Sequence, residues 1–152
     1  TKPGSRDQHL IQNLDYAETF LDIAGAKIPG DMQGTSLVPL LRGQTPKNWR
    51  TSIYYHYYEY PSVHMIPRHY GIRTERYKLM HFYQFGNEWE LYDLQADPDE
   101  LQNLYGRQGA SKLADDLKKQ LYALQRNYGD ESDFSEKPQE WQDKVRPGTA
   151  GK

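Results

Sequence analysis

The sequence predicts an α+β fold, a four-stranded antiparallel sheet packed against a long C-terminal helix. Three observations carry that expectation. Residues 53–94 hold four runs of β-forming residues separated by turn chemistry. Further on, Leu113, Leu117, Leu121, Leu124 and Tyr128 recur at helical spacing in one stripe. A helix with a single apolar stripe beside an antiparallel sheet buries that stripe against the sheet, which gives two layers.

The elements follow in order. Residues 1–12 read as a loop leading into a helix. Asp15 is the expected N-cap, and Glu18 three residues on completes a D-x-x-E capping box. Tyr16, Ala17, Phe20, Leu21 and Ala24 then recur at helical spacing, and Gly25 stands where a C′ glycine ends a helix. The apolar face of this helix calls for a partner. Ile28-Pro29-Gly30 is a turn, residues 36–41 form a short apolar run broken by Pro39, and residues 43–49 are a polar linker. Three regions result: 1–45, 46–130 and a polar tail, 131–152.

Within the middle region, residues 53–60 are a strand with aromatics on both faces. Two prolines bracket residues 61–68, so that segment is a loop rather than a central strand. Residues 70–73 and 76–83 flank a tight Thr74-Glu75 turn, and 89–94 follow the Phe85–Glu88 turn as the last strand. The order of the four strands is open. Asp97-Pro98-Asp99-Glu100 has the form of a helix start, giving a short helix that ends near Gly106. The long helix runs over 111–127, with Asp115, Lys118, Lys119 and Arg126 facing away from the stripe. In the tail, Phe134 and Trp141 are the large apolar anchors of a segment expected to lie over the surface.

Composition excludes several classes. Nineteen basic against twenty-one acidic residues give a net charge of −2, which argues against general nucleic-acid binding. No apolar run approaches the roughly 20 residues of a membrane span. The first residues have neither the charged nor the apolar region of a signal peptide. Cysteine is absent, so disulfides, thiolate nucleophiles and cysteine-based zinc sites are excluded.

Residues 53–83 concentrate the chemistry, with four of the five histidines and eight of the thirteen tyrosines. His64, Arg68 and His69 offer hydrogen-bond donors and one fixed positive charge on a loop, which suits sugar hydroxyls and sulfate oxygens. The alternative is that they pack the loop or face water. His56, His64, His69 and His81 match no compact zinc motif. Tyr54, Tyr55, Tyr57, Tyr58 and Tyr60 suit sugar stacking, but a sheet buried on both faces explains them better. Arg73, Arg76 and Lys78 read as solvated edge charges. Asp93, Asp97, Asp99 and Glu100 match no EF-hand loop, and helix capping accounts for two of them. No catalytic residue and no metal ligand is assigned from the residues.

Three segments together resemble the C-terminal end of type I sulfatases, the formylglycine-dependent, alkaline-phosphatase-like group. These are residues 13–25 (NLDYAETFLDIAG) with their continuation Met32–Leu37 and Pro39-Leu40-Leu41, residues 71–79 (GIRTERYKL), and Glu90–Leu94 followed by Asp97–Glu100 and Asn103-Leu104. The resemblance covers about residues 7–105 and is nearest the bacterial branch acting on N-acetylglucosamine-6-sulfate. It implies that residues 1–45 are the end of an α/β catalytic domain otherwise absent here, on whose core the first helix would pack. It implies a full-length, calcium-dependent sulfuric ester hydrolase in the periplasm or secreted, acting on a sulfated glycan. It also implies a gap. The formylglycine motif C/S-x-P-S/A-R, the calcium ligands and the catalytic lysine and histidine of the family lie N-terminal to the matched segments. The nearest look-alike, Tyr60-Pro61-Ser62-Val63, lacks the arginine. The fragment itself is therefore expected to carry no cofactor and to be inactive alone. Residues 61–69 would border the substrate, with His64, Arg68 and His69 in contact with it. The alternative expectation is a stand-alone carbohydrate-binding or protein-interaction module.

Overall fold

In a computed structural model, residues 2–61 and 63–130 are described, and the chain divides into two compact units, Thr1–Ile53 and Tyr54–Lys152. The expected anchors Phe134 and Trp141 lie outside the described residues.

The first unit holds helix α1 (Asp15–Ile23) and a single helical turn, α2 (Val38–Leu41), with Pro39 in its first turn, where a missing N–H costs nothing. The capping-box expectation for α1 is corrected. Leu14 is the N-cap, Asp15 is already helical, and no side chain caps the helix. Asp15 instead accepts the backbone N–H groups of Gln12 (2.7 Å) and Thr35 (2.9 Å) and two donors from Arg50, one of them at 2.6 Å. Glu18 accepts the Gly34 N–H at 2.6 Å. Thr19 Oγ1 donates to Asp15 O and accepts the Leu37 N–H at 2.9 Å. Asp15 and Glu18 are 0% and 2% exposed, so donors from distant segments, rather than local N–H groups, satisfy them. Burial alone would raise the Asp15 carboxyl, but Arg50 and the two backbone donors hold it below the usual carboxylate range. A Cβ at Gly34 would meet the Glu18 carboxylate, so any larger residue there would have to displace that side chain.

Polar residues thus occupy the buried side of α1, and its apolar stripe faces outward. Tyr16, Phe20 and Ile23 are 50%, 69% and 64% exposed. The usual amphipathic arrangement is inverted.

The second unit is built on one sheet of β1 (Ser52–Tyr57), β2 (His69–Thr74), β3 (Tyr77–Phe82) and β4 (Glu88–Asp93), in the order β1-β2-β3-β4. The pairs β2–β3 and β3–β4 are antiparallel, with Ile72 opposite Leu79 and Leu79 opposite Leu91. Because side chains alternate across a strand, Tyr70, Ile72, Leu79, His81, Trp89 and Leu91 share one face. Helix α3 (Ser111–Asn127) covers that face with Ala114, Leu117 and Leu121. Ile72, Leu79, Leu91 and Leu121 are fully buried at the centre.

Two expectations change in this unit. No helix forms over 97–106. Residues 94–99 are turns, Glu100 takes a φ of 55°, and the chain then runs along β4, with Leu104 N–H donating to Leu91 O. Asn103 holds it there, accepting from Leu91 N–H and donating to Trp89 O. An exposed edge with unpaired backbone groups captured a segment whose local signals favoured a helix. Lys118 does not face away. Its ammonium lies 4.1 Å from the Trp89 ring centroid and 4.8 Å from that of Tyr105, and donates to Tyr105 Oη.

The opposite face of the sheet carries Tyr55, Tyr57, His69, Gly71, Met80 and Phe82. Gly71 is required where Tyr55 crosses it, since a Cβ would stand 2.5 Å from Leu79 O and 2.6 Å from Tyr55 Oη. Leu121→Ala is expected to cost about 2–5 kcal/mol, the range for emptying a buried leucine site, read from the urea midpoint at unchanged slope. Gly71→Ala should cost about 1–3 kcal/mol by overpacking. A midpoint unchanged by either would remove that contact from the core.

Candidate functional site

Between β1 and β2 the chain leaves the sheet as a loop, described over residues 58–61 and 63–68. Its base is tied and its tip is open. Arg68 closes the base, its guanidinium donating to Tyr60 O at 3.0 Å while its backbone N–H donates to Gln84 Oε1 at 3.0 Å. Tyr60 packs edge-on against Phe85 of the β3–β4 turn, centroids 5.1 Å apart. At the tip Val63 is 91% exposed, and His64, Met65 and Ile66 are exposed with it.

The three expected substrate residues take different positions. His64 stands exposed on the open tip. Arg68 is half-buried at the base. His69 is the first residue of β2, stacked on Tyr57 (5.4 Å), tilted against Phe82 (4.8 Å) and edge-on to Tyr55 (5.9 Å). Its Nδ1 donates to Pro67 O at 2.9 Å, so the ring fixes the end of the loop. Arg68 and His69 are adjacent, and no hydrogen bond joins His64 to either.

Two histidines on the helix-facing side are bound into the fold. His56, with a side chain 3% exposed, donates from Nδ1 to Asp130 Oδ2 at 3.1 Å, and its Nε2 lies 3.0 Å from Tyr83 Oη. Burial pushes the Tyr83 hydroxyl up to about 12, so it stays protonated and donates to that nitrogen. Asp130 also accepts from Tyr54 Oη. Sequence reasoning missed Asp130 because a lone aspartate after a helix end has no spacing pattern. His81 is held between Tyr70 Oη (2.7 Å) and Asn87 Oδ1, and stacks on Trp89 at 4.2 Å. Asn87 accepts only from a protonated Nε2, so Nδ1 accepts from Tyr70.

The basic hairpin is largely engaged. Arg76 pairs with Asp93 at 2.7 Å and Lys78 with Glu100 at 2.6 Å, while Arg73 is exposed. The carboxylates weighed for calcium are therefore turned to pairs and turns, with Asp97 accepting the Gln102 N–H. Among the described residues no three His, Asp or Glu side chains converge as a ligand set, and no helix is long and apolar enough to cross a membrane. The described residues do not fit a calcium centre, and the sequence carries no formylglycine motif.

A model of the N-sulphoglucosamine sulphohydrolase C-terminal family matches residues 1–127. An N-acetylglucosamine-6-O-sulfatase from Bacteroides thetaiotaomicron is 48% identical over 131 residues, which are 85% of this chain and 24% of the relative. A solved structure described as a complex with its substrate D-glucosamine-2-N,6-O-disulfate superposes with a TM-score of 0.75 at 49% identity, covering 81% of this chain and 25% of that one. A putative sulfatase from the same Bacteroides species gives 0.73 at 32% identity, covering 82% and 26%. The chain thus spans about a quarter of the length of the relatives it matches.

Burial lowers the pKa of both His56 and His81 from 6.5, for His56 against a smaller raising effect of Asp130 and for His81 against a smaller raising effect of the Asn87 hydrogen bond. Below about 6.5 the unfolded chain takes up protons that these sites refuse, so stability is full above that pH and falls as pH drops through it. Urea midpoints should decline from pH 7.5 to 5.5, and His81→Gln should flatten the decline. An equal slope in both proteins would show that His81 titrates as it does unfolded.

Proposed function

The chain belongs to the N-sulphoglucosamine sulphohydrolase C-terminal family, and from that membership we propose that it is the C-terminal portion of a sulfatase that hydrolyses sulfate esters of glycans, with 6-sulfated N-acetylglucosamine as the substrate unit. The observation that carries the reading is the loop over 58–68. Its base is tied by Arg68 to Tyr60 and Gln84, while its tip and His64 remain open. A side chain placed this way can meet a ligand without first ordering the backbone that carries it.

In this reading the chain supplies binding, not bond breaking. The nucleophile belongs to an upstream catalytic part of the same protein, where formylglycine and calcium would supply the sulfuryl-transfer chemistry. Arg68 offers a fixed charge for a sulfate oxygen, and His64 and His69 offer imidazole donors or acceptors for sugar hydroxyls. The outward face of α1, with Tyr16, Phe20 and Ile23 exposed, is the surface against which the upstream part packs. The regions 1–45, 46–130 and 131–152 correspond to the end of the catalytic domain, the C-terminal subdomain and a tail. A periplasmic or secreted site of action fits a glycan substrate.

In the full-length enzyme, alanine at His64, Arg68 or His69 is expected to lower kcat/KM for 6-sulfated N-acetylglucosamine at least about tenfold, roughly 1.4 kcal/mol. An unchanged kcat/KM would remove that residue from the site. His69→Ala also removes packing, so His69→Gln, which keeps a polar side chain, separates binding from folding. The isolated fragment should release no sulfate.

A further inference from the structure

On the sheet face away from α3, a cavity of about 260 Å³ is lined by Pro67, Phe82, Phe85, Glu88 and Glu90. It lies just below the roughly 300–1,000 Å³ of sites for drug-sized ligands, which suits a single ring. We propose that it is a sugar subsite for an uncharged or amino-bearing unit adjoining the sulfated one. The proposal rests on the reading of this chain as part of a glycan sulfatase.

The strand register makes the lining. Phe82 stands directly opposite Glu88 across the β3–β4 pair, so an aromatic ring and a carboxylate project to the same side. Glu90 lies two residues along β4 and shares that face. Phe85, 48% exposed in the turn, forms the rim, and Tyr60 supports it from the loop. Pro67 joins the cavity to the same loop whose base Arg68 ties. Phe82 in turn carries His69 against its ring, so the cavity wall and an expected substrate residue are in contact.

The chemistry selects the ligand. Sugar rings present C–H faces that suit aromatic walls, and hydroxyl groups that donate hydrogen bonds. Ionised carboxylates are acceptors only. Glu90 accepts from Tyr92 Oη at 3.0 Å with one oxygen, leaving the other for a ligand. Glu88 is exposed and has no ion pair among the described residues. Among the described residues no cation lines the cavity. A sulfate ester or uronate there would bring a negative charge to two carboxylates and offer their oxygens no hydrogen bond through its charged group. A hydroxyl or ammonium group is accepted by both. Arg68, on the loop, has the opposite preference. The two positions together read which sugar of a pair carries the charge.

The test uses the full-length enzyme with three substrates: 6-sulfated N-acetylglucosamine alone, and the same unit joined to a neutral hexose or to a uronate. Glu88→Gln should raise KM for the neutral-neighbour disaccharide about tenfold while leaving kcat and the monosaccharide KM unchanged. The wild-type enzyme should favour the neutral neighbour over the uronate, and Glu88→Gln with Glu90→Gln should narrow that preference. Equal effects on monosaccharide and disaccharide, or a wild type indifferent to the neighbour, would overturn the subsite. If the enzyme releases sulfate from none of the three, the sulfatase reading fails. The subsite is then read by saturation-transfer NMR with the unsulfated neutral disaccharide. A signal in the wild type that Phe85→Ala abolishes supports it, and no wild-type signal overturns it.

Discussion

The pleat of the four-stranded sheet is the constraint on which the second unit depends. Alternation assigns Ile72, Leu79 and Leu91 to one face, and burying them requires a helix that presents Leu117 and Leu121 at matching height. Once that face is committed to α3, every intervening residue must point the other way. Tyr55, Tyr57, His69, Phe82, Glu88 and Glu90 are consequently gathered on the second face. A one-residue slip of β3 against β4 would exchange the two sets. The leucine core and the proposed sugar subsite are therefore two results of one register.

Polar groups divide along the same line. On the helix-facing side His56 and His81 are enclosed, and each has both ring nitrogens in a hydrogen bond. Satisfied in this way they are structural, and their neutral forms are the ones the fold accepts. His64 is at the other extreme, exposed on the loop tip. His69 is between them, a strand residue wedged among aromatic rings with Nδ1 holding Pro67. Imidazoles within one stretch of thirty residues thus stand as enclosed struts, as an anchor for the end of the loop and as an exposed side chain at its tip. Burial separates these roles, because the residue type is the same in each.

The first unit follows a different rule. Its helix buries Asp15, Glu18 and Thr19 and exposes Tyr16, Phe20 and Ile23. A buried carboxylate is tolerated where charge-assisted donors surround it, and Arg50 with the Gln12 and Thr35 N–H groups does this for Asp15. These bonds tie three stretches of irregular chain to a nine-residue helix. They hold the unit together without using the apolar stripe, which stays available for a further layer.

The sequence by itself determined the class of fold, the four strands to within a few residues, the span of the long helix and the family. The elements follow from local periodicity, which survives without knowledge of the rest of the chain, whereas the family came from the resemblance of three segments, 13–41, 71–79 and 90–104, to a known group. It misassigned residues 97–106, where the Asp-Pro-Asp-Glu start was sound locally but the open edge of β4 offered Leu91 and Trp89 backbone groups to Asn103 and Leu104. It misread Asp15 and Glu18, because an N-cap and a long-range acceptor have the same spelling. The meander order of the strands, the place of Asp130 against Tyr54 and His56, and the cavity between Phe82 and Glu88 were decided by tertiary structure. Each of these joins residues far apart in the chain or fixes a register between strands, and a hydrogen bond or a cross-strand neighbour leaves no periodic trace in either segment it connects.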